Sequence, residues 1–243
     1  MDSRDCDRRA LRRLIRERAA LPNHRFIGLG DWGDWVLPSD RKRHRPSNII
    51  PELASCDDID AAIVDYQAKT LAGAVPLDLV AVGNHEATII NRGHRNPVRR
   101  LCEKLGTTYG EYCGMLRYNM RAAGNTACVS LTILYHHGAW YGKNPIPPGA
   151  IDWANTTAEG WDMFLFGHNH RKGRVELSKL RAPRRGNVAV ARAQHVVACG
   201  THLRNYQHGP GRGPGYGEMK GHAPAPIGAP LIRWRVVDNA SDS

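Results

Sequence analysis

The chain has 243 residues, 42% of them hydrophobic and 25 of them Gly, enough to bury one sizeable core and unlike a disordered tail or a collagen. Its 34 Lys and Arg against 23 Asp and Glu leave a net charge of +11, a field that attracts polyanions such as nucleic acid or phosphorylated substrates without choosing between them. Residues 1–18 carry Arg and Asp but no apolar signal-peptide core, no later stretch reaches the roughly 18 apolar residues of a membrane span, and six scattered cysteines form no CxxC pair. A single cytoplasmic domain over residues 1–243 is expected, with no membrane association, disulfide framework or thiolate metal site.

In chain order, Leu11, Leu14, Ile15 and Leu21 fall near helical spacing, which predicts a helix over 7–20 that Pro22 and Asn23 end. The apolar run 26–29 reads as a buried parallel strand delivering Gly30 and Asp31 at its C-terminal end. The unit then repeats: a helix over 54–71, a strand over 77–82, and Gly83, Asn84, His85 and Glu86. Strands over 128–135 and 163–166 end at His136, His137, Gly138 and at Gly167, His168, Asn169, His170. Runs at 174–177, 188–197 and 231–237 are rich in β-formers with no helix between them, which predicts a second, partly antiparallel sheet. Residues 208–230 form a Gly- and Pro-rich loop within the domain.

Four apolar strands therefore each end in a polar cluster. Asp, Asn and His at strand ends, without thiolate, are the ligand set of a hard or borderline divalent cation such as manganese, zinc or iron. A Gly beside each cluster lets the backbone turn sharply and approach an ion or phosphate. Taken alone, GNHE reads equally well as a capped turn, and GHNH as a polar turn with solvated histidines; two imidazoles two residues apart after a buried strand favour metal. His136 and His137 compete for one ligand position, and His137 is favoured because it precedes Gly.

The order GDxxD (Gly30, Asp31, Asp34), GNHE (Gly83 to Glu86), His-Gly (His137, Gly138) and GHxH (Gly167, His168, His170) resembles the calcineurin-like metallophosphoesterases. The likeness runs from Cys6 to about Ile232, and the closing stretch resembles small phage and bacterial members. It implies a four-layer α/β sandwich, two mixed sheets flanked by helices, that hydrolyses phosphoesters with metal-bound hydroxide. It further implies that Asp31 bridges two metals, that Asn84, His137 and His168 complete the second site, and that His170 belongs to the first. His85 would stand beside the scissile phosphate, oriented by Glu86, with Asp34 on the substrate side.

Family members begin with a strand ending in DxH, and that motif and strand are missing here; the nearest sequence, Asp31-Trp32-Gly33, has Gly where His is needed. The simpler account is a late start codon or a truncated piece, and an in-frame DxH upstream of Met1 would restore two metals. The alternative is an intact, altered protein with one ion, or a catalytically inactive member that binds polyanions or a partner through its basic face. Arg41 to Arg45 and the set Arg92, Arg95, Arg99 and Arg100 either guide an anionic substrate or form a solvated face. Trp32, Trp35, Trp140 and Tyr141 either stack on a base or pack in the core. The basic balance favours a nucleic acid or nucleotide substrate, with a small phosphomonoester as the alternative.

Overall fold

A computed structural model describes residues 1, 3, 5–35, 49–74, 76–93, 95–121, 128–142, 144–181, 190–206 and 214–236. The run 41–45 and, of the other stretches named above, residues 188–189, 208–213 and 237 lie outside these. Helix α1 (Arg8–Ala19) opens the chain, capped by Asp7, whose carboxylate accepts the Ala10 N–H at 2.9 Å. Strand β1 (Phe26–Gly28) follows. The helix expected over 54–71 divides in two, α2 (Pro51–Ala54) and α3 (Ile59–Leu71). Asp58 takes the Ala61 N–H and restarts the helix, as Asp does when its side chain competes for backbone donors.

After β2 (Leu77–Val80) come α4 (Asn84–Asn91), α5 (Pro97–Leu105), β3 (Thr108–Tyr109), β4 (Cys113–Arg121) and β5 (Cys128–His136). The chain continues through α6 (Pro148–Thr157), β6 (Met163–Phe166), β7 (Lys172–Arg181), β8 (Val190–Cys199) and α7 (Tyr216–Lys220), the last a short helix inside the stretch expected to be loop. The run expected as a strand over 231–237 forms no ladder among its described residues. Its Ile232 packs against apolar core residues, so side-chain burial and not backbone pairing holds it.

This is an α/β protein with two sheets. One is parallel throughout, ordered β1-β2-β3, and corrects the expectation that both sheets are mixed. The other is mixed, ordered β4-β5-β6-β8-β7, with parallel β5-β6-β8 and antiparallel β4 and β7 at its edges.

Strand alternation sorts the core into three clusters, because successive side chains point to opposite faces of a sheet. Val80 and Val82 join Leu11, Ile15, Ile63, Val64, Ile89 and Leu101 from the helices. Leu79 and Ala81, the intervening positions, pack instead against Leu131, Ile133, Tyr135, Met163, Leu165 and Val197 of the five-stranded sheet, so the two sheets lie face to face. On the far face Leu134, Phe164, Phe166, Val196 and Ala198 cover α6 through Ala150 and Ala154. Among the described residues no helix is long and apolar enough to cross a membrane.

One core position is at odds with its surroundings. Gln67 on α3 is fully buried, and neither its Oε1 nor its Nε2 has a hydrogen-bond partner among the described residues, an arrangement that forfeits the hydration of two polar atoms. Gln67→Met keeps the length of the side chain and removes both polar atoms. It is expected to raise unfolding stability by about 1–2 kcal/mol, read as a higher urea midpoint at unchanged slope.

Candidate metal centre

The site forms where the two sheets meet at their strand ends. Asp31 and Asn84 follow β1 and β2 of the parallel sheet; His137 and His168 follow β5 and β6 of the mixed one. Since β1 and β2 run parallel, as do β5 and β6, each pair of loops leaves its sheet on the same side. Glycines permit the loops to touch. A Cβ on Gly83 would lie 2.1 Å from Asp31 Oδ1, and one on Gly30 would lie 2.4 Å from the Gly83 nitrogen. Across the mixed sheet, a Cβ on Gly138 would lie 2.6 Å from the Gly167 carbonyl oxygen.

Ligand atoms from Asp31, His137 and His168 all lie within 4.8 Å of one another. His137 Nε2 is 3.2 Å from Asp31 Oδ2 and 3.0 Å from Asn84 Oδ1, so the Asn84 oxygen adjoins the group at His137. Ligand atoms bonded at about 2.0–2.2 Å to one cation stand at most about 4.4 Å apart, so this set closes on an ion with little movement. Two imidazoles with two side-chain oxygens suit zinc, manganese or iron.

The orientation of His137 is set from behind. Its Nδ1–H donates to the Leu29 carbonyl at 2.6 Å, which aims Nε2 at the cluster in the way such hydrogen bonds fix metal-binding histidines. Burial disfavours a charge on His137, but the Asp31 carboxylate outweighs it and the pKa rises. Burial also opposes the charge on Asp31, yet the His137 hydrogen bond, with His85 helping, holds its pKa down to about 2. Burial, then the nearby His137 charge, lower the pKa of His168.

Glu86 builds the loop that carries Asp31. Wholly buried, it accepts N–H bonds from Asp31 at 2.9 Å, Trp32 at 2.7 Å, Gly33 at 3.4 Å and Gly83 at 2.9 Å, and from Trp35 Nε1 at 3.0 Å. Burial and the Asp31 charge push its pKa up, whereas every one of these neighbours is a donor, so the loop is shaped around the carboxylate form. This corrects the expectation that Glu86 orients His85. The His85 ring is held by Asp34, whose carbonyl accepts from Nδ1 at 2.9 Å and whose carboxylate lies 3.9 Å from it. The His85 backbone N–H meanwhile donates to Asp31 Oδ1 at 3.1 Å, placing the carboxylate at the N-terminus of α4.

Among the described residues, four of the five non-glycine positions with left-handed backbone lie in the loops of this site: Asp31, Trp35, His168 and His170. Such conformations cost energy and persist where surrounding contacts impose them. His170 shares the turn of His168 but lies outside the cluster, its ring facing the Asn205 side chain and its pKa lowered by burial. His136 does not belong to the site either. As the even member of its strand it faces α6, with ring centroids of Trp153, Trp140 and Tyr112 within 5.1 Å, and its Nδ1 accepts the Gly138 N–H. Burial drops its pKa to about 4.

Of the four aromatic residues beside the motifs, Trp35 is buried on Glu86, Trp32 covers Gly28 and Trp140 packs on Phe164 and Phe166. Tyr141 alone of these is exposed, at 74%, and its hydroxyl hydrogen-bonds His168 Nε2. Arg99 of the second arginine set lies over the Tyr109 ring.

Glu86→Gln turns an amide N–H toward backbone donors and is expected to destabilise the fold by about 3 kcal/mol, measured by urea unfolding. The Asp31 pKa, lowered from 3.8 to about 2, contributes stability present above pH 3.8 and lost as pH falls toward 2; the raised His137 pKa contributes stability complete below 6.5 and lost as pH climbs above it. The metal-free chain therefore gains most from this pair between pH 3.8 and 6.5. Melting temperature in chelator should fall above that window, and His137→Ala should flatten the fall. Affinity for a cation should move the opposite way and rise with pH, because the ion displaces the proton on His137 Nε2. No model of a known family matches the chain, and no curated protein matches it.

Proposed function

We propose that the protein is a metal-dependent phosphoester hydrolase of the calcineurin-like metallophosphoesterase type, with that family's four-layer α/β sandwich, acting on a nucleic acid or nucleotide. The observation that carries the reading is the convergence of Asp31, Asn84, His137 and His168, two from each sheet, on one point. A divalent cation held there would lower the pKa of a water and neutralise the phosphoryl oxygens.

The chain's own groups divide the remaining work. Asp31 contributes charge and is fixed by the α4 N-terminus and by His137. His137 and Asn84 position each other at 3.0 Å. His85 has Nδ1 occupied by the Asp34 carbonyl, leaving Nε2 as the ring nitrogen that gives a proton to the leaving oxygen. Asp34, whose carboxylate lies 3.9 Å from that ring, acts on His85 as a positioning residue. Tyr141, exposed beside His168, stands on the substrate side.

The test is hydrolysis of bis(p-nitrophenyl) phosphate by the full chain with Mn²⁺, alongside calorimetric metal titration. Asn84→Ala and His168→Ala are each expected to reduce metal affinity and activity by about 10–100-fold or more, whereas His85→Asn should lower kcat by about 100-fold or more with metal affinity retained. Metal-independent turnover, or full activity in both ligand variants, overturns the reading. Tight metal binding without turnover of diesters or monoesters would instead identify a catalytically inactive binding module.

A further inference from the structure

Helix α1 is the most heavily charged element among the described residues. Its twelve residues, RRALRRLIRERA, hold six Arg and one Glu. Leu11 and Ile15 are buried in the core, and Arg9, Arg12, Arg13 and Arg16 are exposed. At about 100° per residue these four fall within an arc of about 100°, stepping along the axis over about 10 Å. They form one cationic stripe on the solvent face.

Local interactions reward that arrangement only toward its end, where Arg16 in the last turn complements the helix dipole. Arg9 with Arg13 and Arg12 with Arg16 stand at i,i+4, where like charges repel. Arg8 and Arg9 occupy the first turn, which has no acidic residue, so they oppose the helix dipole. Glu17 neutralises Arg13 at 2.6 Å, while Arg9, Arg12 and Arg16 have no ion pair among the described residues. Some cations elsewhere are paired: Lys104 with Asp65 at 2.9 Å, Arg25 with Asp78 at 3.2 Å, and Arg192 with Asp162. A helix that accumulates uncompensated like charge on one face is suited to a partner that brings the opposite charge in a row.

We propose that the Arg9, Arg12, Arg13 and Arg16 face of α1 is a docking surface for the phosphate backbone of nucleic acid, separate from the metal centre. Guanidinium groups bind phosphate in forked geometry, and a nucleic-acid strand offers closely and regularly spaced charges to a linear cationic ladder. A membrane fits less well. An interfacial helix inserts its apolar face between lipids, and here Leu11 and Ile15 are already committed to the protein core. With its four guanidinium groups assigned to phosphate, the surface reads charge and not sequence.

The experiment is anisotropy of the full chain with a labelled DNA duplex of about 20 base pairs in chelator, so that the outcome is independent of hydrolysis. Binding should weaken with salt, and Arg9→Gln, Arg12→Gln, Arg13→Gln and Arg16→Gln combined should make the slope of log K against log salt shallower by about 3–4. A control that removes the same charge from exposed positions elsewhere, Arg117→Gln, Arg121→Gln, Arg174→Gln and Lys220→Gln, should change it by less than about 1. Should the combined variant melt early, Arg12→Gln and Arg16→Gln singly decide, each shifting the slope by about 0.9. Equal losses in stripe and control variants overturn the proposal, as does an unchanged slope in the single variants. Binding to anionic vesicles with no binding to the duplex would also overturn it.

Discussion

The architecture of the site rests on one buried carboxylate. Glu86 lies in the first turn of α4, yet four of its five donors come from another loop: Asp31, Trp32, Gly33 and the Trp35 indole follow β1, while Gly83 precedes its own helix. By gathering them it turns Asp31 into a left-handed backbone conformation and draws the ends of β1 and β2 together. A carboxylate in so dry a place survives because each oxygen lone pair meets a donor. The Asp31 side chain is consequently an output of Glu86, although the two residues are far apart in sequence.

A second constraint is steric. The loops approach so closely that glycine is required at Gly30 and Gly83 on one sheet and at Gly138 on the other. The mixed sheet thus repeats the solution of the parallel sheet with different ligands, carboxylate and amide on one side and two imidazoles on the other. What differs is the means of fixing them. Asp31 is held through its backbone by Glu86, whereas His137 is held through its ring by the Leu29 carbonyl, which itself belongs to the β1 loop. The opposite sheet therefore sets the direction of the His137 ring.

Much of this was legible in the residues. The strands at 26–29, 77–82, 128–135 and 163–166 were short apolar runs bounded by turn residues, and each terminates within two residues of the expected place. The four ligand positions were visible as strand-end clusters. The choice between His136 and His137 was also readable from strand parity: Leu131, Ile133 and Tyr135 face the other sheet and His137 continues that series.

Other features were not local enough to see. Four of the five Glu86 donors come from the loop after β1, 51 to 55 residues away. The strand over 231–237 failed because β-formers make a strand only where another strand's backbone is available, and Ile232 found a hydrophobic face instead. No strand was expected over β4, although Leu116, Tyr118 and Met120 alternate inward toward the intersheet core with polar Arg117 and Asn119 between them. Helix α5 carried an Asn96 cap and Pro97 at its start, signals masked by its arginines.

The division of the four converging side chains, two contributed by each sheet, gives an ion held among them a mechanical role. It would join two layers attached mainly by non-directional apolar contact through Leu79, Ala81, Leu131, Ile133 and their neighbours, with a few directional links such as Tyr118 to Asp78 and His137 to the Leu29 carbonyl. Apolar faces can slide at small cost, but a polar knot of fixed bond lengths cannot, so occupancy would lock the registry of one layer on the other. Any ligand that favours the assembled state adds its binding free energy to folding, and here that gain would be concentrated at the mouth of the sandwich, where the sheets would otherwise part first.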